Sequence, residues 1–409
     1  MQHLKRIPEA IQVRLSPPAN MTSLAPKRKL ALLLNIIAPA RLRLYSVLAD
    51  HFDLLILHGG TEANRDSWQG LEKAISNAQV VRAWGWQLHH TKKVDGEAFD
   101  EKFIHVTPGF AWHLLRFRPE VIISNEMGLR TLTALAYGTL FRKPVWVWWG
   151  GTAHTERKIG LLRRIIRKVV TLWARHWISY GRTSTEYLLQ LGVQRERILE
   201  SQNAVDEDRF QAPAEPAWAI EPRPVVLHAG QLIERKGLDA LLNAAATLQQ
   251  EGSEFSLLLV GSGREKQALE QRVAALGLKN VHFRPAQTPD KMPSVYRSAN
   301  VLVFPTLEDV WGLVANEAIL SGVPVLCSKY AGCAPELFAS ENIFSPDDPK
   351  EFVQKLRQAI SGRLPKTDPA RLKTTEVLGG ELVKELCNHL SSNPQPVVSN
   401  ASKSEVRET

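Results

Sequence analysis

Cysteine and long apolar runs are scarce in this sequence. Three cysteines occur among 409 residues, and Cys327, Cys333 and Cys387 have neither CxxC nor metal-ligand spacing, so we expect a reduced, cytosolic protein. No apolar run approaches the roughly 20 residues that a spanning helix needs, and the N-terminal segment lacks the apolar region of a signal peptide. Membrane contact is therefore expected to be peripheral.

Acidic residues are fewer than basic ones. The formal net charge is +9, which favours an anionic partner: a phosphorylated substrate, an acidic membrane surface or a nucleic acid. Charge alone does not choose among these partners. The length exceeds what one compact core accommodates and fits two domains of ordinary size.

Short apolar runs alternate with helical patterns along most of the chain. The runs are continuously apolar, which is typical of strands buried on both faces of a parallel sheet. The first series occupies residues 30–36, 53–58, 120–124, 144–149 and 176–180, and the second occupies 224–230, 255–261, 280–283, 300–305 and 323–327. The pattern predicts an α/β protein with two doubly wound, Rossmann-like domains that face a central cleft. Ligands of such sheets bind beyond the carboxyl ends of the strands.

Polar and proline-rich segments indicate the domain boundaries. Residues 1–27 and 391–409 are expected to be disordered tails. A proline-rich linker is predicted at 206–223. The N-terminal domain is expected at 28–205, the C-terminal domain at 224–365 and a helical segment at 366–390.

Two strand-to-helix turns of the second half carry glycine and a basic residue. Lys236 and Gly237 fall at the start of a predicted helix, where free backbone amides and the helix dipole favour an anion. This turn is a candidate phosphate site, and an ordinary surface lysine is the alternative. Gly261, Gly263 and Arg264 repeat the arrangement, but such a glycine pair more often closes a turn than binds a nucleotide.

Two acids flank the start of a later helix. Asp309 lies in the loop after the apolar run 300–305, and Glu317 lies eight residues on, inside a helix that starts near Gly312. Carboxylates accept hydrogen bonds from the vicinal hydroxyls of a ribose or hexose. The glycine lets a ligand approach the backbone amides of residues 312–314. Acids beside a phosphate site suit a sugar nucleotide, which contains both hydroxyl-rich sugars and a diphosphate.

The order and spacing of these motifs resemble the family-four retaining glycosyltransferases, which have the GT-B fold. The resemblance covers residues 184–337. Its motifs are STEYLLQLGV, NAVDEDRF, GQLIERKG, VGSG, NVHF, EDVWGLVANEA and SKYAGCAPEL.

The resemblance implies a role for each matching residue. Asp309 meets the transferred sugar, with adjacent Glu308 as an alternative, and Glu317 meets the ribose of the nucleotide. Lys236 neutralises the diphosphate, whereas Gln231 stands where arginine is common. The implied donor-binding set is Gly230, Gln231, Lys236, Gly261, Arg264, Asp309, Gly312, Leu313, Val314 and Glu317.

The implied activity is transfer of a hexose from a nucleoside diphosphate sugar to a glycan or lipid-linked acceptor, with retention at the anomeric carbon. The donor diphosphate would be neutralised as it leaves, without a metal or a cofactor. One alternative is a sugar-nucleotide epimerase or hydrolase of the same fold. A second is a non-enzymatic basic binding module, for example for RNA, although no stacking motif supports a nucleic-acid partner.

Three residues of the first half are candidates for the cleft. His154 follows a di-glycine turn after an apolar strand, and by the resemblance it reaches the donor sugar and completes a catalytic set with Lys236 and Asp309. Capping of a helix that starts near Glu156 is the alternative for this histidine. Arg41, whose loop after the first strand is expected to face the acceptor or the diphosphate, and Glu126, after another strand, are acceptor-side candidates. A solvated acid at a helix N-terminus is the equal alternative for Glu126.

A basic amphipathic helix is predicted within residues 157–177. Its apolar residues cluster on one side and its basic residues on the other. We expect the apolar side to pack into the domain core. The basic side is expected to be solvated or to bind anionic lipid at the inner face of the cytoplasmic membrane. Its members are Arg163, Arg164, Arg167, Lys168 and Arg175.

Overall fold

The computed structural model describes residues 26–60, 70–94 and 97–392. Both predicted series of strands form parallel sheets, so the predicted fold class, with two doubly wound domains, is confirmed. The predicted disordered tails lie outside the described residues except at 26–27 and 391–392. Residues 391–392 belong to the end of a helix and not to a tail.

The first sheet has seven parallel strands. They are β1 (Lys29–Leu34), β2 (Asp53–His58), β3 (Ala78–Arg82), β6 (Val121–Asn125), β7 (Val145–Trp149), β8 (His176–Tyr180) and β9 (Ile198–Ser201). Their order in the sheet is β3-β2-β1-β6-β7-β8-β9. Every residue of β7 is buried, as expected of a central strand that is covered by helices on both faces. An antiparallel hairpin of β4 (Trp86–Val94) and β5 (Glu97–Val106) follows β3.

The second sheet has six parallel strands. They are β10 (Val225–Ala229), β11 (Ser256–Val260), β12 (Val281–Arg284), β13 (Val301–Phe304), β14 (Val325–Ser328) and β15 (Ile343–Phe344). Their order is β12-β11-β10-β13-β14-β15. In both sheets the chain order reverses beside the first strand, which opens a crevice at the carboxyl ends of the strands.

Helices cover both faces of each sheet. The first half contributes α1 (Leu42–His51), α2 (Gly109–Phe117), α3 (Leu129–Phe141), α4 (Leu161–Trp173) and α5 (Arg182–Gln190). The second half contributes α6 (Glu207–Gln211), α7 (Leu238–Gln250), α8 (Lys266–Ala275), α9 (Met292–Arg297), α10 (Leu313–Leu320), α11 (Ala334–Leu337), α12 (Pro349–Ile360) and α13 (Thr375–Ser392). None of the helices in the described part of the chain combines the length and apolarity needed to cross a membrane.

The last helix returns to the first domain. Leu382, Leu386 and Leu390 of α13 are buried in one core cluster with Leu30 of β1 and Leu48 of α1. The polypeptide therefore crosses between the domains twice, once after β9 and once before α13. Residues of α13 complete the core of the first domain, which residues of β1 and α1 begin.

Helix α4 differs from its prediction. The apolar side was expected in the core, but Leu162, Ile165 and Leu172 are exposed and Val170 is the one fully buried residue of the helix. Arg167, expected on the solvated basic side, instead contacts the protein through an ion pair with Glu156. The prediction was wrong because periodicity locates an apolar side without showing what covers it.

Candidate active site

The carboxyl ends of the two sheets face each other across one cleft. Loops after β10, β13 and β14 meet the loop after β7, which carries His154. Hydrogen bonds and a ring contact join these loops to one another. They place several of the predicted site residues together and leave others apart.

Lys236 and Asp309, predicted to share one ligand, contact each other directly. Lys236 Nζ donates to Asp309 Oδ2 at 2.6 Å, and both side chains are largely buried. Lys236 ends a short 3-10 turn before α7, and Asp309 lies between β13 and α10. Leu307 N also donates to Arg235 O at 2.9 Å, which joins the two loops. The lysine and the acid therefore occupy one point at the edge of the second sheet.

A second cation, Arg235, lies at the same carboxylate. Its Nη1 donates to Glu308 O at 2.7 Å and lies 3.5 Å from Asp309 Oδ2. Burial alone raises the pKa of Asp309, but the charges of Lys236 and Arg235 outweigh this effect and hold the pKa at about 2. Asp309 is thus ionised at neutral pH, and an anionic ligand would compete with it for the two cations. Sequence reasoning missed Arg235, although it directly precedes Lys236.

Glycines start the two helices beside this ion pair. Gly237 precedes α7 with φ +66°, and Gly312 precedes α10 with φ +101°. A Cβ atom would lie 2.1 Å from Pro305 O at position 237 and 2.3 Å from the Phe304 ring at position 312. Only glycine fits both places without strain. The first amides of α10, at residues 312–314, have no partner within the helix and favour an anion.

His154 crosses the cleft to the loop that carries Asp309. Its Nε2 lies 2.8 Å from Leu307 O, and its ring stacks on Tyr330 at 3.9 Å between centroids. Burial lowers the pKa of His154, although the bond to the carbonyl opposes this effect. In the neutral ring Nε2 must donate, because a carbonyl only accepts, and Nδ1 remains an acceptor. No helix begins near Glu156, since α4 starts at Leu161, so the helix-cap alternative is wrong.

An ion pair also joins the two domains on the side of the cleft where His154 lies. Arg157 Nη1 lies 3.2 Å from Glu308 Oε2, and the Glu308 side chain is buried. Glu308 therefore faces the first domain, whereas its neighbour Asp309 faces Lys236. This division favours Asp309 over Glu308 for a ligand of the second domain. Sequence reasoning did not single out Arg157 or Tyr330, because both act through contacts between domains.

Glu317 contacts α9 and not the Lys236–Asp309 pair. Tyr296 Oη donates to Glu317 Oε2 at 2.7 Å. Burial raises the pKa of Glu317 to about 7, against the opposing effects of this hydrogen bond and of the Arg209 charge. The carboxyl group is therefore close to its midpoint at neutral pH. A ligand hydroxyl that donates to it would favour the ionised form.

The two acceptor-side candidates lie at the carboxyl ends of the first sheet. Arg41 is buried, with its guanidinium 4.1 Å from the Trp148 ring and 4.6 Å from the Tyr180 ring. Its Nη2 donates to Asn203 Oδ1 at 2.6 Å. Glu126 is exposed and adopts φ +65°, a conformation that is uncommon for residues other than glycine. An acceptor role for either residue stays a prediction.

Arg41 is also connected to the second domain. Asn316 Nδ2 of α10 donates to Asn203 O at 2.8 Å, and Trp311 Nε1 donates to Asn316 Oδ1 at 2.9 Å. All four side chains are buried. The loop after β1 and the helix that carries Glu317 are therefore linked by a continuous set of hydrogen bonds.

The remaining predicted donor residues line turns of the second sheet. Gly230 and Gly261 pack against each other, since a Cβ at 261 would lie 1.8 Å from Gly230 O. Gln231 is half-buried in the loop after β10, and Arg264 pairs with Glu265 at 3.2 Å. These turns adjoin the Lys236 loop, and a donor-binding role for their residues stays a prediction.

No group of three or more His, Cys, Asp or Glu residues within the described ranges could hold a metal ion. One Asp-x-Asp spacing does occur, at Asp206 and Asp208. Asp208 pairs with Arg43 at 2.6 Å, and Asp206 pairs with Arg209 at 3.2 Å. Asp208 therefore contacts α1, whereas Asp206 pairs with a residue of the helix that it precedes.

A cavity of about 150 Å³ lies between the domains beside His154. Thr183 and Gln190 of α5 line one wall, and Lys329 and Tyr330 line the other. Thr183 Oγ1 donates to Gly332 O at 2.9 Å, which holds the walls together. The cavity adjoins the loop that carries the histidine.

Comparison with known proteins finds a family that is similar to the second half of the chain. Residues 212–375 match the model of the glycosyl transferases group 1 family. The chain is 28% identical over 200 residues to 2-deoxystreptamine glucosyltransferase of Streptomyces kanamyceticus, covering 45% of this chain and 50% of the relative. It is 32% identical over 184 residues to D-inositol 3-phosphate glycosyltransferase of Nocardia farcinica, covering 42% and 41%. The chain thus spans about half the length of these curated relatives.

Solved structures match over a larger part of the chain. Anabaena HepE in complex with UDP and glucose has a TM-score of 0.62 at 16% identity, covering 90% of this chain and 100% of that one. Sucrose-phosphate synthase of Thermosynechococcus elongatus has a TM-score of 0.62 at 17% identity, covering 88% and 94%. The chain therefore has the GT-B fold of these structures, and its residues 212–375 are similar to the glycosyl transferases group 1 family.

Proposed function

We propose that the protein transfers a hexose from a nucleoside diphosphate sugar to a glycan or lipid-linked acceptor, with retention at the anomeric carbon. The bond between the anomeric carbon and the β-phosphate oxygen breaks, an acceptor hydroxyl oxygen bonds to the same face of that carbon, and the hydroxyl proton leaves with the diphosphate. Retention rests on the resemblance to family-four enzymes, since the spacing of Asp309 and Glu317 serves a donor and does not define a hydrolase pair.

The observation that carries the proposal is the cation pair at Asp309. Lys236 and Arg235 converge on this carboxylate beside the free amides of α10. Fixed positive charge at the point where a diphosphate departs lowers the barrier to its departure. The bound UDP named for the HepE structures supports a uridine nucleotide as the first donor to examine.

The acceptor is proposed to enter from the first domain. Arg41 and Glu126 lie at the carboxyl ends of its strands, opposite the donor loops. Tyr180 lies under the Arg41 guanidinium and donates to Oδ1 of Asn125, the residue before Glu126, at 3.2 Å. We place the working protein at the inner face of the cytoplasmic membrane, where a lipid-linked acceptor would be available.

Product analysis tests this function against an epimerase or a hydrolase. The protein is incubated with UDP-glucose, UDP-galactose, UDP-N-acetylglucosamine and GDP-mannose, each with and without a bacterial lipid extract. We expect one donor to give a glycosylated lipid whose anomeric proton coupling matches the donor configuration. Free sugar released at equal rates with and without extract would identify a hydrolase. A changed sugar on the nucleotide would identify an epimerase, and an inverted product would refute retention.

His154 is expected to affect transfer more than stability. Replacement by alanine removes the ring that lines the cavity and its Nδ1 acceptor, and loss of one positioned polar group costs about 100-fold in rate. We expect His154→Ala to lower the rate of sugar transfer by about that factor while the melting temperature changes by only a few degrees. His113→Ala, a half-buried histidine of α2, is the matched control. Parental activity in His154→Ala would refute the role.

A further inference from the structure

The solvent-facing side of α4 is apolar. Leu161, Leu162, Ile165, Val169, Leu172 and Trp173 are exposed, and we name them the α4 apolar face. Leu162 is 71% exposed and Leu172 is 79% exposed. They recur at the three- and four-residue spacing of a single helical stripe. An exposed stripe of this kind on a soluble domain marks an interaction surface.

The opposite side of α4 contacts the rest of the protein through an arginine, a valine and an alanine. Arg167 Nε donates to Glu156 Oε2 at 2.9 Å, and its guanidinium lies 4.4 Å from the Trp149 ring. Val170 and Ala174 are buried against the domain core. The helix thus turns a charged residue inward and large apolar residues outward, which reverses the orientation expected of a surface helix.

The apolar surface continues onto α3. Trp173 Nε1 donates to Thr139 Oγ1 at 2.9 Å, which fixes the end of α4 against the end of α3. The neighbouring α3 residues Leu140 and Phe141 are exposed, Leu140 by 74%. The α4 apolar face is therefore part of a wider patch that two helices share.

Basic residues border the α4 apolar face. Arg164 and Lys168 are exposed beside it on the helix, and Arg175 is exposed just after it. No Asp or Glu occurs from residue 157 to residue 185. An anionic bilayer satisfies both features at once, because apolar side chains enter the acyl boundary while basic residues contact the headgroups. A soluble protein partner would have to combine an apolar groove with an acidic rim.

We propose that the α4 apolar face inserts into the surface of an anionic membrane. Apolar side chains make most of the contact with the membrane, and basic side chains at the border of the face contact the charged headgroups. The loop that carries His154 and Arg157 leads directly into α4. Insertion therefore brings the entrance of the cleft to the membrane surface. The inference goes beyond the proposed transfer reaction and does not depend on it.

Vesicle binding of the whole protein tests the insertion. The probe is vesicles of equal parts phosphatidylglycerol and phosphatidylcholine, and the readout is the fraction of protein that sediments with them. The variant Leu162→Gln, Ile165→Gln, Leu172→Gln is expected to lower the partition coefficient by about 100-fold at both low and high salt. Arg164→Gln with Lys168→Gln is expected to lower it by about 30-fold at low salt alone.

Two controls and one quenching measurement separate membrane insertion from other causes of a change in vesicle binding. Leu189→Gln changes a leucine that is exposed on α5 and should leave vesicle binding unchanged. The melting temperature of the triple variant should stay within a few degrees, since its substituted residues are exposed. Quenching by lipids brominated in the acyl chain should decrease in Trp173→Phe, which would place that indole among the acyl chains.

Three outcomes would overturn the proposal. The first is a parent protein that does not bind the vesicles, and the second is a triple variant that binds as the parent does. The third is a dimer, seen by light scattering, that the triple variant converts to a monomer without a change in vesicle binding. That result would identify the face as a contact between two copies of the chain.

Discussion

Lys236→Met is expected to lower the rate of sugar transfer by about 1000-fold, the upper end for loss of one electrostatic contact to a transition state. Lys236 is the cation nearest to the carboxylate of Asp309, at 2.6 Å. In the proposed reaction its charge shifts to the departing diphosphate, where negative charge develops. The measurement is the initial rate of transfer at saturating donor. Lys266→Met, at an exposed position on α8, is the matched control and should retain full activity.

A second variant separates catalysis from folding. Lys236→Met alone leaves the largely buried Asp309 with one cation fewer, and breaking a buried pair is destabilising. Lys236→Met combined with Asp309→Asn removes both charges and should recover much of the melting temperature. Its transfer rate should remain as low as that of the single variant. Recovery of transfer together with stability would show that Lys236 has only a structural role.

Asp309 and Glu317 are expected to act on different parts of one donor. Asp309→Asn should lower the turnover number while the dissociation constant of UDP is unchanged or smaller, because Lys236 is released for the diphosphate. Glu317→Gln should raise that dissociation constant by about tenfold to 100-fold at pH 8, the size expected for losing a charged acceptor. Calorimetry with UDP measures both, since UDP contains ribose and lacks the transferred sugar. The reverse order of effects would refute the assignment.

The affinity for UDP measured in this way should depend on pH. With a pKa of about 7, Glu317 is mainly protonated at pH 6 and mainly ionised at pH 8. If ribose hydroxyls donate to the ionised carboxylate, UDP affinity from this group should rise by about tenfold over that range. In Glu317→Gln this tenfold rise in UDP affinity should be absent. Any pH dependence that remains would come from ionisation of the UDP phosphate itself. Equal pH profiles in both proteins would contradict a contact between Glu317 and the nucleotide.

Continuous apolar runs predicted the central strands correctly. The run 144–149 became β7 and the run 300–305 became β13, because strands covered on both faces must be apolar throughout. Strand β3 was missed because its residues are only partly buried. The hairpin of β4 and β5 was missed because charged residues interrupt its apolar pattern.

The donor side of the site was accessible to sequence reasoning because local chemistry defines it. Lys236 precedes a helix and Asp309 follows a strand, so each could be placed at a sheet edge from its neighbours alone. Arg157 and Tyr330 could not be found in that way, since their roles depend on how the two domains meet. The predicted orientation of α4 was wrong for a related reason. A helical wheel shows that one side of a helix is apolar, but tertiary packing decides whether that side is covered.

The return of α13 to the first domain has a consequence for synthesis of the protein. Leu382, Leu386 and Leu390 fill a core that begins at Leu30 of the first strand. A ribosome makes those leucines after the whole second sheet, so the domain made first must wait for α13 before its core is complete. The second domain, whose sheet lies between these segments, can close earlier. The domain that is made first is thus completed last, and the nascent chain exposes apolar core residues that chaperones can recognise until α13 has been made.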